Sequence, residues 1–387
     1  MSCSDQRKEP CLLPWSHVYY HTDKNVYPCC NLVANPNFVL GKTSDALSEI
    51  WNSERLRKLR MDTINNTAPK ECWQHCYKNM NPLHVHVPQS VKELKNLFFE
   101  NTSETGEFEE NFILWNVNES NVCNFACIYC CSSFSNRFDG NLQKSFTNTD
   151  EQLEFFKQNL PNLKYIYFSS GESHLQPGYY RMLEYLVETN HTHIPIVVHS
   201  NLSGFTFGKK NLYELLNNFE DVAVCASLDS HGKRAEFIRY GTKWEDILET
   251  RNELFKYPNI KFAIQPVITN LNIWSLPDFH MDWFNKGLVR KDNIRYFPLS
   301  TPEDLHITVL TPKMKNEVIA KYHDYLDFLS DETSTIYNAK TPFSKVIEIL
   351  EEMKKEPIVS LDRFNFYIIK QSLKSKMSFK TIFPEFS

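Results

Sequence analysis

The sequence has few glycines, no long apolar run and no excess of positive charge. No stretch of about 18 consecutive apolar residues occurs, which excludes a membrane-spanning helix. Asp and Glu number 47 against 42 Lys and Arg, so the net charge is −5 and nucleic acid is not the expected partner. The polar segment Met1–Pro10 lacks the apolar core of a secretory signal, so we expect a cytoplasmic protein without a membrane partner.

The composition is that of an ordinary globular protein. Apolar residues make up 42% and charged residues 23%, which excludes a disordered chain, a collagen and a pure coiled coil. Glycine provides only 10 of the 387 residues while aromatics reach 14%, which we interpret as coding bias. The length allows one large domain or two to three smaller ones.

Cysteine is frequent in the first third of the chain and almost absent afterwards. Of the 11 cysteines, only Cys225 follows Cys131. Nine of them form two groups, the first with Cys11, Cys29, Cys30, Cys72 and Cys76, and the second with Cys123, Cys127, Cys130 and Cys131. Because a chain without a secretory signal is expected in a reducing compartment, such groups favour metal binding or chemistry over disulfides. The sequence therefore predicts two metal sites.

From about residue 111 the sequence alternates apolar strand-like runs with helical stretches, which predicts an α/β fold with a parallel sheet. The predicted strands are Phe112–Val117, Lys164–Ser169, Pro195–Ser200, Val222–Leu228, Lys261–Ile268 and Ile294–Leu299. The predicted helices between them are Glu151–Asn159, Gly178–Glu188, Asn211–Phe219, Trp244–Tyr257 and Trp274–Asn285. Six units are two fewer than a complete eight-fold barrel has, so we predict a partial (β/α)6 barrel over residues 111–313.

Three further segments surround this barrel. Residues 1–80 are predicted to form a small cysteine-rich module with a hairpin at 17–30 and one helix at 43–65 that Thr43 or Ser44 caps. A module with so little core would need a metal to hold it together. Residues 81–110 are expected to be a linker with a short helix near 91–99, and residues 314–387 a helical C-terminal extension.

The most specific motif directly follows the first predicted barrel strand. It is Cys123-x3-Cys127-x2-Cys130, with Tyr129 just before the last cysteine. The C-terminal end of such a strand is where α/β barrels place their chemistry. Three thiolates suit zinc or an iron–sulfur cluster and leave one coordination position open, whereas Cys131 could supply a fourth ligand only with strain. The residues alone leave zinc, an iron–sulfur cluster and a purely structural cysteine cluster as alternatives.

With this motif, residues 111–300 resemble the radical S-adenosylmethionine (radical SAM) superfamily. The segment Ser170-Gly171-Glu172-Ser173 resembles the family's second-strand motif, usually Gly-Gly-Glu-Pro, and later segments follow in the family's order. The resemblance implies a 4Fe–4S cluster on Cys123, Cys127 and Cys130 that chelates SAM, whose reductive cleavage gives a 5′-deoxyadenosyl radical. It also implies SAM contacts from Tyr129, Gly171, Glu172, Asn201, Ser227 and Arg239. A carboxylate at Glu172 suits the SAM amino group, and the Arg239 guanidinium suits its carboxylate.

The first cysteine group resembles the SPASM/twitch auxiliary-cluster module, which usually follows a radical SAM barrel and here precedes it. The resemblance covers residues 11–76 and implies a second 4Fe–4S cluster on Cys11, Cys29, Cys72 and Cys76. Cys30 could replace Cys29, and four thiolates suit zinc equally well.

The two resemblances imply a radical SAM enzyme with a peptide or protein substrate and a reductant such as flavodoxin or ferredoxin. The alternatives are a radical SAM enzyme acting on a small molecule or RNA, and a non-catalytic zinc-binding interaction protein. His199, Asp229 and His231 lie near strand ends, where side chains could face the substrate, but we expect packing or loop roles for all three.

Overall fold

The structure of the protein is a computed structural model that describes residues 10–33, 35–72, 89–138, 149–299, 301–329, 342–357 and 359–386. The chain forms two compact units. The first comprises Met1–Val122, Asn141–Val198 and Phe207–Val222, and the second Cys123–Gly140, His199–Thr206 and Ala223–Ser387. Within the described ranges, no helix combines the length and apolar character needed to cross a membrane.

The regular elements are short strands and helices distributed over both units. The strands are β1 Tyr19–Tyr20, β2 Asn25–Tyr27, β3 Gly41–Lys42, β4 Leu114–Val117, β5 Ala126–Cys127, β6 Tyr165–Phe168, β7 Ile196–Ser200, β8 Thr206–Phe207, β9 Lys210–Asn211, β10 Val222–Ala226, β11 Arg239–Tyr240, β12 Ile260–Ile264, β13 Val267–Ile268 and β14 Phe297–Pro298. The helices are α1 Leu47–Trp51, α2 Glu54–Ile64, α3 Lys70–Cys72, α4 Gln89–Lys92, α5 Lys95–Glu100, α6 Thr149–Asn159, α7 Pro177–Glu188, α8 Leu212–Leu216, α9 Gly232–Ile238, α10 Trp244–Leu254, α11 Leu276–Asn285, α12 Pro312–Leu329, α13 Pro342–Met353, α14 Leu361–Ser375 and α15 Phe379–Ile382.

The first unit is built on parallel strands covered by helices. Strand β4 pairs with β6 in parallel from Leu114 opposite Tyr165 to Val117 opposite Phe168, and β6 pairs with β7 in the same sense. Helix α7 packs against α6 and α8. The apolar runs that predicted these strands are buried, because both faces of a parallel strand are covered. The α/β prediction is confirmed.

The N-terminal part of this unit confirms the predicted hairpin and corrects the predicted helix. Strands β1 and β2 pair antiparallel, and β3 adds a third strand that the sequence did not predict. The segment predicted as one helix is two, α1 and α2, separated at Asn52 and Ser53. The Asn52 side-chain amide donates to the Phe108 carbonyl, and its oxygen accepts the Phe108 N–H. Local periodicity in the sequence cannot predict such a long-range contact. Thr43 and Ser44 do not cap α1, because the chain turns at Asp45, whose carboxylate accepts the Lys42 N–H at 2.7 Å.

The N-terminal part of the first unit has a larger buried core than the sequence predicted. Trp15, Trp51 and Arg60 are completely buried. The Arg60 guanidinium donates to the carbonyls of Pro14 at 2.9 Å, Trp51 at 2.9 Å and Gly106 at 3.2 Å. A buried cation is tolerated when its donors are satisfied, so Arg60 joins two segments of the module to Gly106 in the segment predicted as a linker.

The second unit continues the alternation of strands and helices. Strand β12 neighbours β10, Ile264 forms a parallel bridge with Ile294, and β13 pairs in parallel with β14. A two-stranded antiparallel ribbon joins β5 to β11 and thereby connects the cysteine motif to Arg239. Helices α12 to α15 confirm the helical C-terminal extension in the part of it that the structure describes.

Candidate active site

The three cysteines of the central motif lie in a loop that the second unit holds at several points. Cys127 is in β5, opposite Arg239 in β11, and the Ile128 N–H donates to the Ile238 carbonyl at 2.8 Å. The Cys130 N–H donates to the Cys127 carbonyl at 3.0 Å, which closes a turn between these two ligands. The hydrogen bonds fix the cysteine backbone before any ligand binds.

The thiols of this loop influence each other's ionisation. Burial raises the pKa of Cys130, and the neighbouring thiols of Cys127, Cys131 and Cys123 raise it further. Burial also raises the pKa of Cys127, against the opposing effect of the Arg239 cation. Metal binding requires the thiolate form, and three cysteine thiols in one loop are the donors that an iron–sulfur cluster uses. In the described ranges, no three His, Cys, Asp or Glu side chains converge as they would around a single ion.

A buried ion pair lies directly against Cys127. Asp229 is completely buried and accepts from Arg239 Nε at 2.8 Å and Nη2 at 3.1 Å. Its carboxylate also accepts the Tyr129 hydroxyl at 2.6 Å and the Val267 N–H at 2.9 Å. The remaining Arg239 nitrogen, Nη1, lies 3.9 Å from the Cys127 Sγ. Asp229 thus fixes both Arg239 and Tyr129 beside the cysteine.

The surroundings of Asp229 shift the pKa values of Arg239 and Tyr129. Burial alone would lower the pKa of Arg239, but the combined effect of Asp229, Tyr129 and Cys127 holds the pKa well above its ordinary value. Burial also raises the pKa of Tyr129, so its hydroxyl stays protonated and keeps donating to Asp229. Arg239 is therefore a permanent cation next to the cluster ligands.

The other predicted SAM contacts of the second unit lie at strand ends. Asn201 follows β7; its side-chain amide donates to Asn124 Oδ1 at 2.9 Å, and its Oδ1 accepts the Ser203 N–H at 2.9 Å. Ser227 follows β10, and its N–H donates to the Ser200 carbonyl at 2.7 Å. Asn124 lies between the first two motif cysteines, so Asn201 is linked to the cysteine loop.

The predicted SAM-binding turn of the first unit depends on Gly171. Its φ is +53°, and a Cβ there would lie 2.2 Å from the Val122 carbonyl oxygen, so another residue would clash. The next residue, Glu172, donates its N–H to the same oxygen at 2.8 Å, and its buried carboxylate lies 3.1 Å from His174 Nδ1. Val122 directly precedes Cys123 in the sequence. The turn is thus tight although Ser173 replaces the family's usual proline.

Glu119 is a buried carboxyl that the sequence reasoning missed. Its Oε2 accepts the Gly178 N–H at 2.9 Å, at the beginning of α7, where a negative charge is favoured. A Cβ on Gly178 would lie 2.7 Å from the same oxygen, so the glycine permits this approach. Burial nevertheless raises the pKa of Glu119 to about 7, against the lowering effect of the Gly178 and Tyr179 N–H groups.

The elevated pKa of Glu119 makes stability depend on pH. The pKa of Glu119 is about 7 in the folded chain against 4.5 in the unfolded chain. The contribution of this residue to the free energy of unfolding is therefore fully present below pH 4.5 and is lost as the pH rises through 7. We expect Glu119→Gln, which does not titrate, to gain on the order of 1 kcal/mol relative to the parent between pH 6 and pH 8. Denaturant unfolding midpoints of both proteins at the two pH values measure this gain. If the difference in stability between the two proteins were the same at pH 6 and pH 8, the elevated pKa of Glu119 would be contradicted.

The first cysteine group lies in the first unit. Helix α3, which ends at Cys72, packs against the turn Cys30–Leu32. The Tyr19 hydroxyl accepts from the Asn118 amide at 2.8 Å, and burial followed by the nearby Cys30 raises its pKa. Cys11 is half-buried, and Cys76 lies outside the described residues. Thiols on adjoining segments fit a second metal centre, and both Cys29 and Cys30 remain candidates.

Comparison with known proteins gives two matches to family models. Residues 117–280 match the radical SAM superfamily, and residues 11–77 match SPASM, an iron–sulfur cluster-binding domain. No curated protein matches the sequence significantly.

Several solved structures are similar to parts of the chain. One is anSMEcpe with bound AdoMet and Cp18Cys peptide, with 16% identity, 57% of this chain and 62% of that chain covered, and a TM-score of 0.43. Another is Streptococcus suis SuiB bound to precursor peptide SuiA, with 16% identity, coverage of 62% and 49%, and a TM-score of 0.40. Methylornithine synthase (PylB) has 12% identity, coverage of 74% and 92%, and a TM-score of 0.35. The chain thus spans about three fifths of the length of anSMEcpe.

Proposed function

We propose that the chain, which matches the radical SAM and SPASM family models, is a radical SAM enzyme with an auxiliary iron–sulfur module and that it modifies a peptide or protein. The cofactors that these domains imply are a 4Fe–4S cluster, SAM and an auxiliary iron–sulfur cluster. When bound, the reduced cluster and SAM supply a 5′-deoxyadenosyl radical that abstracts hydrogen from the substrate.

In this proposal Cys123, Cys127 and Cys130 hold the catalytic cluster. The observation that carries it is the loop of the cysteine motif, which backbone hydrogen bonds and the β5–β11 ribbon hold, with a buried cation 3.9 Å from the middle thiol. That cation, Arg239, offsets the negative charge of thiolate ligands. Three cysteines leave one coordination position for SAM.

The SAM contacts in the proposal are Tyr129, Gly171, Glu172, Asn201, Ser227 and Arg239. Glu172 offers a carboxylate to the SAM amino group, and the close approach at Gly171 supports the turn that carries it. Asp229 holds two nitrogens of Arg239, so Nη1 is the nitrogen directed toward the cluster side. A contact of Arg239 with SAM stays a prediction.

The auxiliary module is proposed to hold a second 4Fe–4S cluster on Cys11, Cys29, Cys72 and Cys76. The contact of α3 with the turn that begins at Cys30 supports a site between these segments. The second cluster would accept an electron from the substrate radical or bind the substrate. A zinc ion on the same thiols is the competing occupant.

The peptide class rests on the SPASM-like module, because relatives with such modules mostly modify peptides or proteins. The proposed domain plan places this module at residues 1–80, a linker at 81–110, the radical SAM barrel at 111–313 and the helical extension at 314–387.

Metal analysis of anaerobically purified protein tests the proposal. We expect a brown protein with about eight irons and a matching amount of sulfide per chain. With SAM and a strong reductant, it should form 5′-deoxyadenosine. Two zinc ions in a colourless protein, with no 5′-deoxyadenosine even after reconstitution, would instead support a zinc-binding interaction protein.

A further inference from the structure

Helix α14 presents one face to the cysteine loop of the second unit. Its buried residues Phe364 and Ile368 join a hydrophobic cluster that contains Ile128, the residue after Cys127. On the same helix, the Tyr367 hydroxyl donates to the Ile128 carbonyl. The helix therefore touches the polypeptide between two cluster ligands directly, although it lies outside both segments that match family models.

The opposite face of α14 is apolar and exposed. Phe366, Ile369 and Leu373 are 73%, 60% and 76% exposed, and their spacing of three and four residues places them along one side of a helix. Three large apolar residues in one row are more than the single exposed side chains that a surface normally carries. Such a row marks an interaction surface.

Positive charge lies along the C-terminal half of this row, whereas the exposed Asp362 lies at its N-terminal end. Lys370 lies within it, and Lys374 and Lys376 follow at its C-terminal end. The Lys374 ammonium lies 4.9 Å from the ring centre of Phe138 and 5.3 Å from that of Tyr240, which adjoins Arg239. Tyr240 lies opposite Ala126 in the β5–β11 ribbon, next to the pair of Arg239 and Cys127, so this end of the helix is close to the cysteine loop. Glu385 does not cancel this charge because Arg234 pairs with it at 2.6 and 2.8 Å.

We propose that the α14 face, defined as Phe366, Ile369, Lys370, Leu373 and Lys376, is the docking surface for a small acidic one-electron carrier protein. An apolar centre with lysines along one half of its edge is complementary to an acidic partner with an apolar contact patch. The inference rests on the proposed function and identifies the surface at which the electron for the catalytic cluster enters the protein.

The transfer involves one electron and no bond. The reduced carrier is oxidised by one electron, and the cluster on Cys123, Cys127 and Cys130 is reduced by one. The contact of Tyr367 with the Ile128 carbonyl provides a short route from the docked partner to the loop, because Ile128 is one residue from Cys127 and two from Cys130. A substrate or a second copy of the chain bound to this face would not need a short route to the cysteine loop.

Reduction of the reconstituted enzyme by reduced flavodoxin, an acidic flavoprotein, tests the proposal. We expect Lys370→Glu/Lys376→Glu to lower the second-order rate constant of cluster reduction at least tenfold at low salt and to weaken its salt dependence. Phe366→Ser/Leu373→Ser should weaken flavodoxin binding in a titration that does not depend on turnover. Photoreduced deazaflavin, a small donor that needs no docking surface, should reduce parent and variants at equal rates.

Matched controls make the result specific. Lys209→Glu/Lys243→Glu removes the same charge from two other exposed lysines, and Ile347→Ser removes an apolar side chain that is 42% exposed on α13. Equal losses in the controls, or unchanged rates in the α14 variants, would overturn the proposal. So would self-association of the parent that Phe366→Ser/Leu373→Ser abolishes, or loss of substrate turnover with deazaflavin as the donor. Failure of the parent to form 5′-deoxyadenosine with deazaflavin would instead refute the proposed function.

Discussion

Replacing Cys127 by alanine is expected to abolish 5′-deoxyadenosine formation and to reduce the iron content from about eight to about four per chain. Cys127 is the ligand in the β5–β11 ribbon and the thiol next to Arg239, so its loss removes the best-fixed ligand of the catalytic cluster. The first cysteine group should keep its own metal. Iron and sulfide analysis together with product detection after addition of SAM and reductant measures both effects.

Cys131→Ala is the matched control, because it removes the adjacent exposed thiol. If three cysteines hold the cluster, this variant keeps about eight irons and continues to form product. Loss of activity in Cys131→Ala would mean that the polypeptide closes the fourth position, which would contradict SAM chelation. Loss of all iron from Cys127→Ala would contradict two independent sites.

The sequence predicted the parts of the fold that depend on local pattern. Apolar runs predicted β4, β6, β7, β10 and β12 within a few residues, because parallel strands buried on both faces leave a continuous apolar signature. The cysteine spacing predicted which loop carries the chemistry. The sequence also predicted that the C-terminal extension is mostly helical.

What the sequence could not predict depends on contacts between distant residues. Asp229 was expected to have a packing or loop role, yet it anchors Arg239 and Tyr129. Only the ribbon β5–β11, which pairs residues 112 positions apart, brings these groups together. Glu119 lacks a local signal for the same reason, because its partner is the beginning of a helix 59 residues away. A polar residue shortly after a predicted parallel strand was the one available hint for Asp229.

Asp229→Asn is expected to be strongly destabilising, by about 3–5 kcal/mol, because it leaves the Arg239 cation buried without its counter-charge. Arg239→Met should cost a similar amount by isolating the Asp229 carboxylate. In the double variant the two costs should not add, since neither charge remains unpaired. Denaturant unfolding midpoints of the four proteins measure this coupling. Additive costs would mean that the pair contributes nothing as a pair.

A second effect separates this pair from an ordinary buried ion pair. Because Asp229 holds both Arg239, which lies beside Cys127, and the loop residue Tyr129, both single variants should also bind less iron at the catalytic site during reconstitution. Arg234→Met/Glu385→Gln is the matched control, as it removes another Arg–carboxylate pair of the second unit. It should lower stability and leave iron binding intact. Equal iron loss in the control would reduce the role of Asp229 to general stability, whereas selective loss would make it the residue that positions the cluster loop.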